Sequence, residues 1–232
     1  MPYLGGKSQA GVWQRIVNLI PPHDTYIEPF FGSGAIFRLK RPAVRNIGLD
    51  LAAPKTALID RHANLEFHQA CGLAFLESFT FTGREFVYCD PPYLLETRLS
   101  AHRYAHEFTR ADHERLLRIV RCLPCPVMVS GYPSRLYDEA LRDWTRESFQ
   151  VMTRGHTWAT EVLWFNYPRP ILHDTRRVGA NCRERWRIEK RRRRWAERIR
   201  KLPIAERYAL FSALVDAIGP AAAARAISGA AS

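Results

Sequence analysis

Thr25-Tyr26-Ile27-Glu28-Pro29-Phe30-Phe31-Gly32-Ser33-Gly34-Ala35-Ile36-Phe37 is the stretch on which the fold turns. Its first four residues read as a short strand, the proline closes it, and a helix beginning near Ala35 completes a strand, glycine loop and helix unit. Asn46 to Leu49 reads as the next strand and ends on Asp50, about 20 residues after the first, the spacing of a nucleotide-type αβ half. Taken alone, Gly32-Ser33-Gly34 is a common tight turn. The strand before it, the helix after it and an acid placed where two ribose hydroxyls need acceptors make it a candidate cofactor loop. A nicotinamide dinucleotide fits poorly, because Phe37 stands where the third glycine of that fingerprint belongs.

Working outward, Ser8 to Leu19 carries Val12, Ile16 and Leu19 on one helical face and is closed by Pro21-Pro22. Cys71 to Phe79 reads as a helix, and Phe86-Val87-Tyr88-Cys89 as an apolar strand that stops at Asp90-Pro91-Pro92-Tyr93. Thr109 opens a helix through Leu116, Leu117 and Val120; Pro126 to Ser130 is a strand; Ser134 to Leu141 is a helix. Phe149 to Thr153 and Val162 to Phe165 form a terminal strand pair around a loop that holds Gly155. This alternation implies an α/β, largely parallel, Rossmann-like sheet with its working residues at the carboxyl ends of the strands.

Past Pro168 and Pro170 the composition changes, which divides the chain into a domain over 1–170 and a basic helical tail over 171–232. In the tail, Ile188, Trp195, Ile199 and Leu202 form one helical stripe, and Tyr208, Phe211, Leu214, Val215 and Ile218 form a second beyond Pro203. The alanine-rich end is expected to fray. The chain has 232 residues and a formal net charge of +12. From Thr175 onward there are fifteen Lys and Arg against five Asp and Glu, a net +10, which leaves +2 for the rest. A field of that kind suits a polyanionic partner such as nucleic acid, with a merely solvated tail as the alternative.

Five cysteines and a start without a basic-then-apolar leader argue against a disulfide framework and against export. No apolar run reaches the roughly 18 residues that span a bilayer. A cytoplasmic location is the expectation.

Asp90-Pro91-Pro92-Tyr93 carries the chemistry. Two adjacent prolines end the strand and bar a helix, so the tetrapeptide sits at the strand's carboxyl edge. An aromatic amino group is a poor nucleophile because its lone pair is delocalised into the ring. Acceptors at its hydrogens, one carboxylate oxygen of Asp90 and the Pro91 carbonyl, draw it towards tetrahedral geometry and free that lone pair. Pro92 helps to fix the carbonyl, and Tyr93 offers a face on which a base can stack.

These motifs resemble those of Dam-like DNA adenine N6-methyltransferases of the phage type. Tyr3-Leu4-Gly5-Gly6-Lys7-Ser8 is similar to the amino-terminal cofactor motif, Glu28 to Gly34 to the first Rossmann motif, and Asp90 to Tyr93 to the catalytic motif, in the family's order. Val129-Ser130-Gly131-Tyr132 and Thr160-Glu161-Val162-Leu163-Trp164 resemble later motifs, so the likeness covers about residues 3–167. It implies an S-adenosylmethionine-dependent enzyme of a bacterial cell or phage-infected host that methylates a flipped adenine. Tyr3, Gly6, Lys7, Glu28, Pro29, Phe30, Gly32, Gly34, Asp50 and Asp90 would hold the cofactor, and Asp90, Pro91, Pro92 and Tyr93 the base. Tyr93 would also meet the cofactor's sulfonium.

The sequence departs from the family twice. Cys71-Gly72-Leu73 stands where relatives often have an acid near the cofactor adenine. Only 40 residues separate Asp50 from Asp90, room for one helix and two short connections but not for a recognition insert. The expectation is therefore low sequence specificity on double-stranded DNA, with single strands left open, and phosphate contacts from Arg98, Arg103, Arg191, Arg192, Arg193 and Arg194. Methylation of RNA or of a protein amide, and an inactive DNA-binding relative, are the competing readings.

Other signals point elsewhere only weakly. Cys122 and Cys125 have metal-ligand spacing but no second pair, and the deaminase pattern lacks its His-x-Glu. His102 and His106 beside Glu107 read as a solvated segment, and no metal is expected. Trp186 suits base stacking, whereas the stripe of Trp195 suits burial equally well.

Overall fold

A computed structural model describes Lys7 and residues 11–52, 64–97, 106–152, 157–169, 174 and 177–228, the last four without their side chains. Tyr3, Gly6, Ser8, Arg98, His102, Arg103, Thr153 and Gly155 lie outside the described residues.

The strands are β1 (Thr25–Glu28), β2 (Arg45–Asp50), β3 (Leu65–Gln69), β4 (Glu85–Cys89), β5 (Val127–Gly131), β6 (Thr145–Met152) and β7 (Trp158–Phe165). They form one sheet in the order β3-β2-β1-β4-β5-β7-β6. β1 to β5 run parallel, while β7 is antiparallel to both β5 and β6. The expected Rossmann-like α/β sheet is thus present, with an antiparallel hairpin at one edge.

β4 and β5 are buried along their whole length. Because side chains alternate across a strand, Tyr26, Phe86 and Tyr88 face one layer and Ile27, Val87 and Cys89 the other. The first layer is covered by α1 (Val12–Leu19) and α2 (Ala35–Leu39), through Val12, Ile16, Leu19, Ile36 and Phe37. The second is covered by α3 (Gly72–Ser78), α4 (Arg110–Cys122) and α5 (Arg135–Ala140), through Leu73, Leu76, Leu116, Leu117, Val120 and Tyr137. Full burial of each large apolar side chain is worth roughly 1.5–3 kcal/mol, so a charge at Val87 would undo both packing and sheet. Local signals set the ends: Thr109 accepts from the Asp112 amide while Asp112 reaches back to the Thr109 amide, a capping box that starts α4.

Several sequence expectations need correction. Between Asp50 and Asp90 the chain makes a strand as well as a helix, since β3 extends the sheet beyond β2. β6 begins at Thr145 and β7 at Trp158, each four residues before its apolar core. The alanine-rich segment is helical as α8 (Pro220–Ser228), alanine being the best helix former, and residues 229–232, where fraying is expected, lie outside the described residues. In α6 (Cys182–Arg200) Trp195 is 53% exposed and not buried, and in α7 (Ile204–Ile218) Tyr208, Phe211, Leu214 and Ile218 are also exposed. No helix among the described residues is long and apolar enough to cross a membrane.

Candidate active site

In an open α/β sheet, ligands bind beyond the carboxyl ends of the strands where the strand order reverses. Here that place lies between β1 and β4, which pair in parallel with Ile27 opposite Val87. The glycine loop leaves β1 and Asp90 leaves β4, so the two motifs separated by some sixty residues of chain emerge side by side.

The loop is held from within. The Phe31 amide donates to the Leu49 carbonyl at 2.7 Å and the Gly34 amide to the Phe31 carbonyl at 2.7 Å. Gly34 caps α2 at φ 61°, ψ 34°, the left-handed region that glycine adopts without strain. A Cβ there would stand 2.5 Å from the ring of Phe31. Gly32 also has a positive φ, 51°, yet nothing lies within 4 Å of its missing Cβ, so this side of the loop is open to a ligand.

Asp50 closes the far side. Its Oδ2 accepts from the Gly32 amide at 2.7 Å and its Oδ1 from the Ala52 amide at 2.9 Å. Each carboxylate oxygen keeps a second lone pair, and the residue is partly exposed. Glu28 is buried, accepts from the Tyr26 hydroxyl at 2.8 Å, and is pushed up to about 8 by burial. Asp90 adds to that shift, while Tyr26 and Lys40 oppose it. Pro29 is buried beneath the loop, and Phe30 meets Phe108 edge to face at 5.3 Å. Cys71 is the exposed N-cap of α3.

Around Asp90 the site joins Lys7 and Tyr93 with Ser130 and Glu161, two residues that the sequence motifs contained without a role. Ser130, at the end of β5, donates its hydroxyl to Asp90 Oδ1 at 2.8 Å. Lys7 stands 3.2 Å from the same oxygen and donates to both the Tyr93 hydroxyl and Glu161. Tyr93 in turn donates to Glu161 Oε1 at 2.9 Å and meets Tyr132 edge to face at 4.6 Å. Burial lowers the Lys7 ammonium's pKa and Asp90 counters it. Pro91, Tyr93, Ser130, Gly131, Tyr132 and Tyr137 border a small cavity beside the motif. Ser130 is the penultimate residue of β5, and Glu161, in the middle of β7, lies one residue from Val162, which pairs with Gly131; that closeness was the available signal once the strand order was known.

The basic residues stand apart. Arg191, Arg192, Arg193 and Arg194 are all exposed on α6, but Arg192 and Arg193 pair with Glu189. At about 100° per residue, four consecutive side chains point around the whole helix. Cys122 is exposed at the end of α4 and Cys125 is buried, its thiol pushed up to about 12 by burial. Among the described residues no group of three or more His, Cys, Asp or Glu is placed to hold a metal ion.

No protein-family model matches the chain, and no curated protein matches it. Among solved structures, a precorrin 8w decarboxylase from Methanobacterium thermoautotrophicum is similar at 12% identity and a TM-score of 0.48, over 72% of this chain and 95% of that one. A precorrin-6y C5,15-methyltransferase from Geobacter metallireducens is similar at 12% identity and 0.46, over 72% and 93%. A 23S rRNA methyltransferase is similar at 13% identity and 0.44, over 81% and 76%. Function is therefore read from the chain's own residues.

Proposed function

We propose that the chain is an S-adenosylmethionine-dependent methyltransferase acting on the exocyclic amino group of adenine in DNA. One observation carries this reading: Asp90-Pro91-Pro92-Tyr93 lies at the switch point of the sheet beside the glycine loop, with its carboxylate oriented by Ser130 and its aromatic ring anchored.

The residues present fit the cofactor. Gly32 leaves its side of the loop open, and Asp50 presents two oxygens with spare lone pairs at the end of β2, an arrangement suited to a ribose diol. When bound, the cofactor supplies an electrophilic methyl group on a sulfonium.

The chain's own residues do the rest. Asp90 and the Pro91 carbonyl accept from the amino hydrogens and direct the nitrogen lone pair, while Tyr93 provides a stacking face. Asp90's side chain is 25% exposed, so a proton taken from the amino nitrogen has a route to water. Positioning of this kind is the largest contribution such a site can make to an in-line transfer. The basic tail adds affinity through phosphates without reading sequence. Because the arginines of α6 point around the helix, the tail fits a diffuse attraction better than a single docked face.

The test is acceptor competition. Duplex DNA, single-stranded DNA, RNA and a denatured protein mixture are offered together with labelled cofactor. Label in DNA supports the reading. Label in RNA or protein moves the substrate to those classes, and cofactor binding without any transfer, or no cofactor binding, favours an inactive DNA-binding relative.

A further inference from the structure

We propose that Glu161 is a positioning residue, which fixes the ring of Tyr93 and shares Lys7 with Asp90 so that Asp90 keeps acceptor capacity for the target amino group. The inference rests on the methyl-transfer reading above. That reading assigns Glu161 no role.

Glu161 lies in β7, one residue before Val162, which pairs with Gly131 of β5. Its side chain is only 6% exposed, and that of Lys7 is 9% exposed. A buried carboxylate needs partners, and among the described residues this one has two: the Tyr93 hydroxyl at 2.9 Å and the Lys7 ammonium. The hydroxyl bond holds the ring at its tip and Tyr132 meets it edge to face at 4.6 Å. A ring restrained at both places is a stacking platform before any base arrives.

The second part concerns charge. One ammonium faces two carboxylates, and it stands 3.2 Å from Asp90 Oδ1, an oxygen that already accepts from Ser130. Without the charge of Glu161, Asp90 would be the one counter-ion of Lys7 among the described residues. A full ion pair in that poorly hydrated place would occupy the lone pairs the amino hydrogens need. Glu161 therefore keeps Lys7 from closing the acceptor site, and it does so without touching substrate.

The test uses the full chain carrying ring-labelled tyrosine, with the Tyr93 signals assigned by Y93F. Without cofactor or DNA, the Tyr93 ring should show hindered flipping in the wild type and averaged flipping in E161A, which removes the acceptor for its hydroxyl. In turnover with adenine-containing duplex, E161Q should lower kcat by roughly 10- to 100-fold, the range for a buried charged hydrogen bond, with KM for DNA within about twofold. E161A combined with Y93F should cost clearly less than the product of the two single effects, the remainder being the share that acts through Lys7. Unchanged Tyr93 signals in E161A, or fully multiplicative effects of E161A and Y93F, would overturn the proposal. If either variant does not fold, E161L, of similar size and with neither charge nor acceptor, takes its place. Should the wild type transfer no methyl group to DNA, the functional reading fails, and the ring measurement still decides whether Glu161 holds Tyr93.

Discussion

The hydroxyl of Ser130 at the carboxyl end of β5 donates to Oδ1 of Asp90, the first residue beyond β4, at 2.8 Å. β4 and β5 pair in parallel with Cys89 opposite Val129, so this bond is a consequence of sheet register and fixes the rotation of the carboxylate. Ser130→Ala should lower kcat/KM by roughly 10- to 100-fold, since a hydrogen bond to a charged group contributes about 1.5–3 kcal/mol. Unaltered steady-state kinetics in S130A would mean that Asp90 is oriented by something else.

The glycine loop separates stability from ligand binding. Gly34→Ala puts a residue in the left-handed region, at about 1–2 kcal/mol, and drives its Cβ against the ring of Phe31. Gly32→Ala carries a similar backbone cost but meets nothing within 4 Å. G34A should therefore lower Tm by more than G32A, whereas G32A should weaken cofactor binding out of proportion to its stability loss. Calorimetric unfolding and titration with S-adenosylmethionine measure both, and equal Tm losses would contradict the packing argument.

Glu28 should make stability depend on pH. Its carboxyl is held near 8 by burial, far above its ordinary value of 4.5. Between those values the folded protein keeps a proton that the unfolded chain has released. Its contribution is therefore fullest below pH 4.5 and is lost as pH rises towards 8, by up to about 1.4 kcal/mol per unit. Glu28→Gln keeps an acceptor for Tyr26 and removes the titration. Denaturant unfolding should show E28Q gaining on the wild type from pH 5 to pH 8; parallel stability profiles would show that Glu28 titrates normally.

Removal of residues 183–232 should weaken binding to duplex DNA and flatten its dependence on salt, because α6 carries ten Lys and Arg against three Asp and Glu. Identical salt slopes for the full and shortened chains would make the tail a protein-contact element, a role its exposed Tyr208, Phe211, Leu214 and Ile218 would suit.

The central strands and their motifs were legible because a buried parallel strand writes a continuous apolar run, as Phe86 to Cys89 does, and a proline pair marks where it stops. β3 was not legible: Leu65-Glu66-Phe67-His68-Gln69 is an edge strand with one buried residue, so its pattern is mostly polar. The first half of β6 was missed for the same reason, Thr145 to Ser148 being exposed or only partly buried. Periodicity in α6 and α7 revealed amphipathic helices, but periodicity does not say whether a partner covers the apolar face. In the site, the motifs marked Asp90, the loop, Lys7 and Tyr93, but not that Lys7 meets Tyr93 and Glu161 across separations of 86 and 154 residues. The strand order brings Tyr93, beyond β4, and Glu161, in β7, to either side of β5.

The central claim is most directly tested by methyl transfer from labelled S-adenosylmethionine to matched duplexes with and without adenine, using the wild type and D90A. The account predicts label recovered as N6-methyladenine only from the wild type with the adenine-containing duplex. Label in the adenine-free duplex, or undiminished transfer by D90A, would contradict it.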